Sequence, residues 1–367
     1  MPPSDPLPTV TLVFLVHNRR EELRTSLAKM LGESDYDRER VDAIVVDNAS
    51  EDGSAEMVRE EFPQVELVRR ELNVGVSGFN DGFARARGDY VLALDDDCYL
   101  PPDGLRRAVA AAERHGASLV SFGVTSAYEP GFRFDHVYRT GLLSFWGCAV
   151  LIRREALAAL GGYDPDIFVW ANELELMLRF FDRGYRHLHL PDVLAVHIKR
   201  PGGHWTEYVR RREYLVNTRH FAYIAGKLLR PRDAVEALLA VAAVTVRDAL
   251  SVDRVAIRAL PRAIAGFAHG LRRRAPVRNP TVSRFYRRNF ESFASPWWIS
   301  RPPLALLRAL PRELRRAATS SGEGPPQPPS DRLDLYYARR AALYPRQPAT
   351  LEFARDGSST VVGRAAG

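Results

Sequence analysis

Three consecutive carboxylates, Asp95, Asp96 and Asp97, stand directly after the apolar run Tyr90-Val91-Leu92-Ala93-Leu94. The run lacks polar alternation, which suits a strand buried on both faces of a parallel sheet. Three adjacent acids cannot be packed into the core beside it, because an unpaired buried charge is costly. They belong at the strand's carboxyl end, where α/β sheets bind ligands. Hard oxygen donors there suit Mg²⁺ or Mn²⁺ carrying a substrate diphosphate. A solvated acidic turn would have the same composition, so the rest of the chain has to decide between the two.

Other groups with chemistry to offer fall at similar places. Asp47 follows the apolar run 41–46 and precedes Asn48-Ala49-Ser50-Glu51-Asp52-Gly53-Ser54. That is ordinary turn and helix-cap chemistry, or a carboxylate that accepts a hydrogen bond from a nucleotide base or ribose. The stretch Asn73-Val74-Gly75-Val76-Ser77-Gly78-Phe79-Asn80 does not have the GxGxxG spacing of a dinucleotide site. Its glycines would still let backbone amides approach a ligand, with Arg69 and Arg70 just upstream to meet a diphosphate. Glu173 and Glu175 open a helix expected over 172–184. Acids in a first turn complement the helix dipole, and in a partly desolvated cleft one of them could act as a general base. His197 ends the last apolar segment of this region, as a structural residue or as a further cation ligand.

The elements that must position these groups alternate. Strands are expected at 10–16, 41–46, 65–68, 90–94, 118–124 and 145–152. Helices are expected at 21–31, 54–61, 78–87, 105–114 and 154–160. This order implies an α/β protein with a parallel sheet and right-handed crossovers. The chain has 367 residues, 46% of them hydrophobic and 26% charged, enough for one large domain and an appendage. Its net charge of +7 is uneven, with acids concentrated before about residue 190 and arginine dominating from Lys199 to about Arg316. Lysine occurs only at 29, 199 and 227, so the positive charge is nearly all guanidinium, which suits phosphate. Cys98 and Cys148 give neither a disulfide framework nor zinc spacing, consistent with a reducing cytoplasm. Met1-Pro2-Pro3-Ser4-Asp5 lacks a basic region leading into an apolar core, so no signal peptide is expected. The apolar segment 237–246 is too short to span a bilayer.

Taken in order, these motifs resemble the family 2 glycosyltransferases, particularly bacterial rhamnosyl- and galactofuranosyltransferase-like members. The resemblance covers roughly residues 9–200. It rests on Val16-His17-Asn18-Arg19, Val45-Val46-Asp47-Asn48-Ala49-Ser50, the 73–80 stretch and Leu94-Asp95-Asp96-Asp97. Gly147-Cys148-Ala149-Val150, Gly161-Gly162-Tyr163-Asp164, Asn172-Glu173-Leu174-Glu175, Gly184-Tyr185-Arg186 and His197 complete the series. The resemblance implies the GT-A fold, an α/β/α sandwich of mostly parallel sheet with helices on both faces. It also implies a nucleotide-sugar donor, UDP- or dTDP-linked, bound with Mg²⁺ or Mn²⁺. By resemblance, Asn18, Arg19, Asp47, Asn73, Gly75, Asn80, Asp95 and Asp96 contact the donor, and Asp95, Asp97 and His197 hold the metal. The resemblance also implies that Glu173 is the base that deprotonates an acceptor hydroxyl in an inverting displacement. Trp146, Trp170 and Glu175 wall the sugar or acceptor, although Trp170 would serve equally as a core aromatic. Two departures stand out. The family's Glu-Asp is Asn172-Glu173 here, one methylene longer at the base, and its Thr-Tyr is Val16-His17.

The expected domains are a flexible start at 1–8, a catalytic domain at 9–203, a basic helical extension at 204–318 and a largely disordered tail at 319–367. The tail opens on the Pro/Gly/Ser linker 319–331 and includes a short helix at 333–344. The extension carries Tyr208, Tyr214, Phe221 and Tyr223 among arginines, then an amphipathic helix at 255–271 running into Arg272-Arg273-Arg274. Its readings are a cap on the catalytic domain, a homo-oligomer contact, or a basic surface held at an anionic bilayer where a lipid-linked acceptor waits. Pro296-Trp297-Trp298-Ile299 could anchor at that interface. No nucleic-acid fold signature accompanies the charge, so nucleic acid is not an expected partner. The functional reading is a metal-dependent glycosyltransferase of surface polysaccharide or glycolipid assembly. The alternatives are a sugar nucleotidyltransferase, whose glycine-rich loop after the first strand is lacking at His17-Asn18-Arg19-Arg20, and a sugar-nucleotide-binding protein with a degraded site.

Overall fold

A computed structural model describes residues 7–129, 131–133, 144–199, 207–251, 257–284, 286–287, 349–353 and 359–363. The aromatic stretch 126–140, expected as a loop over the site, lies partly outside these residues. The linker 319–331, the helix 333–344 and Trp297-Trp298 lie wholly outside them. The chain divides into two compact units, one of residues 1–203 with 344–354 and 359–367, the other of 204–343 with 355–358.

The first unit is built on strands β1 (Val10–Val16), β2 (Val41–Asp47), β3 (Glu66–Arg69), β4 (Tyr90–Asp95), β5 (Cys98–Tyr99), β6 (Leu119–Ser126), β7 (Ala149–Arg153) and β8 (His187–His197). Helices α1 (Arg20–Gly32), α2 (Ser54–Glu61), α3 (Phe79–Arg85), α4 (Gly104–His115), α5 (Arg154–Leu160) and α6 (Asn172–Asp182) alternate with them. The apolar runs become strands because both of their faces are covered. Leu12, Phe14, Val45, Leu92, Leu94 and Leu151 are at or near zero exposure, packed with Leu23, Leu27 and Met30 of α1 and with Leu105 and Val109 of α4.

The sheet is parallel through its first half, where β4, β1, β2 and β3 lie side by side. It turns mixed in the second half. β7 runs antiparallel to both β4 and β6, and β8 is parallel to β6. The unbroken parallel sheet expected from element alternation therefore covers residues 10–95, with one further parallel pair, β6 and β8, beyond it. Beyond it, pairing follows contacts that alternation does not encode. β8 takes Pro191 in its interior by means of a register shift between Phe122 and Gly123, since proline cannot donate to a regular ladder. Past β8 the sheet gains β9 (Ala349–Phe353) and β10 (Ser359–Gly363), an antiparallel pair. Residues 349–353 and 359–363 of the tail expected as largely disordered thus form strands, and the rest of 319–367 lies outside the described residues: Thr, Leu, Phe and Val in these short runs suit an edge hairpin.

The second unit contains α7 (Glu207–Leu228), α8 (Pro231–Ser251) and α9 (Ala259–Arg272). Glycines set the approach of α9 to α7. A Cβ at Gly266 or Gly270 would collide with the backbone carbonyl of Arg219 or Tyr223. Among the described residues no helix is long and apolar enough to cross a membrane.

Candidate active site

Parallel register puts three strand ends on one edge: Val16 stands opposite Asp47, and Leu15 opposite Asp95. The chain leaves β1 and β2 through tight turns, with Asn18 at φ 53° and Ala49 at φ 65°. Non-glycine residues rarely adopt that region, and where they do the surrounding structure holds them there. Here Asn18 N–H donates to Ser50 Oγ at 3.0 Å, and Asn18 Oδ1 accepts from Glu51 N–H at 2.7 Å.

The hub of this edge is Asn48, a residue that the sequence reading passed over. Its amide nitrogen donates to Asn73 Oδ1 (2.9 Å) and to the Gly75 carbonyl (3.0 Å). Its Oδ1 accepts from Val74 N–H (3.1 Å), and its carbonyl lies 3.0 Å from His17 Nδ1. An asparagine directly after an apolar strand run and its terminal acid was the available signal. Asn73 also accepts from Gly75 N–H at 2.8 Å, so its side chain shapes the loop rather than standing open to a donor. Asp47 is fully buried. Its Oδ1 accepts from Ser50 N–H at 2.9 Å, and its Oδ2 has no hydrogen-bond partner, with Arg69 Nε 3.5 Å away. The turn reading of Asp47 is met by Oδ1, and Oδ2 is the oxygen left over. Arg70 pairs with Asp81 instead of facing the same edge as Arg69.

The three acids have different surroundings. Asp96 Oδ2 accepts from His17 N–H at 3.3 Å, and its Oδ1 lies 3.6 Å from Arg19. Asp97 is ion-paired with Arg19, and its other oxygen is 3.0 Å from His197 Nε2. The last contact is set by strand pairing, since Cys98 of β5 stands opposite His197 of β8. Burial, with the charge of Asp97 added, raises the Asp95 carboxyl to about 6 and holds Asp96 well above the carboxylate range. Burial acts on Asp97 in the same direction, but His197 and Arg19 outweigh it, so Asp97 lies below its ordinary value.

A divalent cation was expected on Asp95, Asp97 and His197. Among the described residues no three His, Cys, Asp or Glu side chains converge on one point, so Asp95 does not join the other two. Asp97 and His197 are adjacent and offer one hard oxygen and one imidazole nitrogen. This fits a cation that takes its remaining ligands from a diphosphate and water.

The other side of the site is carried by β7 and α6. Asp95 N–H donates to the Cys148 carbonyl at 3.0 Å, so Trp146-Gly147-Cys148 runs beside the acids. The Trp146 ring stands edge-on to His197, with centroids 6.4 Å apart. Glu173, half-buried, rests its carboxylate on Gly147, where any Cβ would collide with it. Burial, with the charge of Asp95 added, raises Glu173 to about 7. A carboxylate tuned to that range can take a proton at neutral pH. The chain reaches α6 through Trp170 (φ 60°) and Ala171 (φ 64°), two successive left-handed residues. Upstream, the Phe168 carbonyl accepts from Val76 N–H at 2.9 Å and touches Gly75 (φ 64°), which has no room for a side chain. The loop that leads into Glu173 is thereby fastened to the glycine loop beside the ends of β1 and β2.

Two expected contact residues turn out to be internal ties. Asn80 gives both ends of its amide to the Tyr163 backbone, at 2.8 Å each, over a Gly162 that must lack Cβ to admit it. Glu175, expected at an acceptor wall, has no exposure and is gripped by Arg179, with contacts from 2.6 to 3.0 Å. Arg179 also donates to the Leu160 and Gly162 carbonyls, so the pair pins α6 to the Gly161-Gly162 turn. Its i,i+4 spacing from Glu175 was legible in the sequence.

A family model described as glycosyl transferase family group 2 matches residues 90–307, more than half of the chain, and one described as glycosyl transferase family 2 matches residues 11–159. Glycosyltransferase AglE of Haloferax volcanii is 24% identical over 212 residues, 54% of this chain and 69% of that protein. The putative glycosyltransferase EpsE of Bacillus subtilis is 26% identical over 202 residues, 51% of this chain and 72% of that protein. Succinoglycan biosynthesis protein ExoO of Rhizobium meliloti is 31% identical over 120 residues, 32% of this chain and 34% of that protein. Among solved structures, a mannosyltransferase from Pyrobaculum calidifontis in complex with GDP-Man and Mn²⁺ shares the fold. Its TM-score is 0.51 at 22% identity, over 92% of this chain and 87% of that one. With the strand-end acids, the mixed sheet and the matched family model in hand, the chain belongs to glycosyl transferase family group 2 and is a glycosyltransferase of the GT-A type.

Proposed function

We propose that the protein transfers a sugar, with inversion, from a nucleotide diphosphate sugar to a hydroxyl of a glycan or lipid-linked acceptor in cell-surface polysaccharide or glycolipid biosynthesis. The observation that carries this reading is Glu173, a half-buried carboxylate raised to about 7 and resting on Gly147 beside the strand-end acids. In this reading Glu173 accepts the acceptor's proton while the anomeric carbon is displaced in line from the opposite side. Asp47 receives the nucleoside, and Arg19 meets the departing diphosphate. Asp97 and His197 would hold Mg²⁺ or Mn²⁺, which when bound neutralises charge on the leaving group. Trp146 and Trp170 remain the proposed sugar wall.

The relatives bear on donor and acceptor. ExoO is named for succinoglycan biosynthesis. Another relative, 30% identical over 114 residues, is the undecaprenyl-phosphate 4-deoxy-4-formamido-L-arabinose transferase of Pseudomonas savastanoi pv. phaseolicola. Those names support a polysaccharide or polyprenyl-phosphate acceptor, and with it contact between the enzyme and an anionic membrane surface. UDP- and dTDP-sugars are the first donors to try, and GDP-mannose joins them because the fold relative was solved with it. The test is transfer or hydrolysis from a panel of UDP-, GDP- and dTDP-sugars with Mn²⁺ or Mg²⁺, with the product anomer read by NMR. Turnover with inverted configuration is expected. Tight nucleotide binding with no turnover from any donor would overturn the enzymatic reading of this site.

A further inference from the structure

Helix α9 presents its apolar side to water. Ile257, just before its start, Ile264 and Leu271 are 48%, 58% and 46% exposed, and they recur every seven residues along one line of the helix. The opposite side, Ala259, Ala263, Gly266 and Gly270, is buried. Gly266 and Gly270 lie so close to the α7 backbone that neither tolerates a Cβ, so α9 cannot roll its isoleucines inward without separating the two helices. Arginines flank the exposed line. From Ile257 to Arg287 the chain has eight arginines and no Asp or Glu. Arg274 is turned inward onto the Gly226 and Leu229 carbonyls, and Arg287 onto Glu236, while Arg258, Arg262, Arg272, Arg273, Arg278 and Arg284 are exposed.

We propose that this face of α9 is the surface by which the enzyme lies on an anionic lipid bilayer, with Ile257, Ile264 and Leu271 entering the acyl boundary and the flanking arginines pairing with lipid phosphates. The proposal deepens the membrane-bound acceptor reading above and rests on it. Charge complementarity selects the occupant. A second copy meeting this face across a two-fold axis would bring arginine against arginine with no acid of residues 257–287 to relieve it. A nucleic acid would satisfy the arginines but leave the isoleucines and the leucine in water. An anionic bilayer takes both kinds of group.

The test is flotation of the full-length protein with vesicles of phosphatidylcholine alone and of phosphatidylcholine with a quarter phosphatidylglycerol. It needs neither donor nor turnover, so its result is independent of the transfer assay. Binding to the anionic vesicles is expected to be at least about tenfold stronger and to weaken as salt rises. The double substitution Ile264→Asp with Leu271→Asp should reduce it by a further factor of about ten or more. The milder pair Arg262→Gln with Arg272→Gln should reduce it about tenfold and leave binding to neutral vesicles unchanged. Both pairs change exposed positions, and their thermal melts should match the parent's. Absence of vesicle binding, or equal binding by parent and both variants, overturns the proposal. So does conversion of a dimer to a monomer by the aspartate pair, which would make the face a contact between copies.

Discussion

The ends of β1, β2 and β4 are joined to one another mainly by side chains: Asn48 to Asn73 and Gly75, Asp97 to Arg19 and His197. The segment that leads into Glu173 is held by its backbone, through the Phe168 carbonyl on Val76 and through two successive left-handed residues. Substitution on the strand-end edge, the proposed donor side, removes a bond, whereas substitution in the segment before Glu173, the proposed base, removes a shape. The strand-end edge retains charge, and the segment before Glu173 holds one carboxylate in place. α6 compresses the same contrast into one turn. Glu173 rests on a glycine with its pKa raised, and Glu175, fully buried, is locked to Arg179.

The largest effect expected is on that pair. Glu173→Gln should lower kcat by about 10²–10⁴-fold while nucleotide affinity, measured by calorimetry, stays within about twofold. A wild-type rate in this variant, with loss in Glu175→Gln, would reverse the assignment. Glu175→Gln is expected to act on folding instead. Taking the charged partner from Arg179, which is partly exposed and keeps its two carbonyl acceptors, costs about 1.5–3 kcal/mol, which a denaturant melt would read directly.

A middle-sized effect would test whether backbone shape transmits between the two regions. Gly75→Ala forces a side chain into the Phe168 carbonyl at a φ of 64°. The expected result is a fall in kcat of about 10–100-fold, because a displacement of about 1 Å at the base suffices for that. Nucleotide affinity should fall far less. Equal losses in both would mean that Gly75 serves the donor alone.

The smaller effects are in pH. In the proposed role Glu173 must be ionised, so kcat/KM should rise with pH through about 7 and then level off. Stability runs the other way. A carboxyl whose pKa is raised by folding contributes stability that is fully present below its unfolded pKa and lost as pH rises through about 7. Glu173→Gln should therefore raise Tm by about 2–5 °C at pH 8 and leave it unchanged near pH 4. A Tm that falls at pH 8 would mean the Glu173 carboxylate is stabilised in the folded protein.

The same contrast governs how much of the molecule was legible in its sequence. Unbroken apolar runs such as Val10–Val16 and Tyr90–Leu94 announced buried strands, and the polar residues at their ends announced the edge on which the acids gather. The antiparallel insertion of β7 between β4 and β6 had no such signature, because its pairing is decided by partners distant in the chain. Asn80 and Glu175 have side chains typical of ligand contacts, and only three-dimensional placement reveals that Tyr163 and Arg179 occupy them. The left-handed pair at Trp170 and Ala171 was invisible because neither residue type favours that conformation.

The short pairing of β5 with β8 has a consequence for the chain as it is made. It joins Cys98 to His197, and so brings His197 to Asp97 across a hundred intervening residues. A ribosome adding about 5–20 residues each second needs about 5–20 s to cover that distance. During that interval the nascent chain carries its three acids without the imidazole that later faces them. β8 must arrive and dock before Asp97 and His197 meet, so this part of the site is a late event in biogenesis.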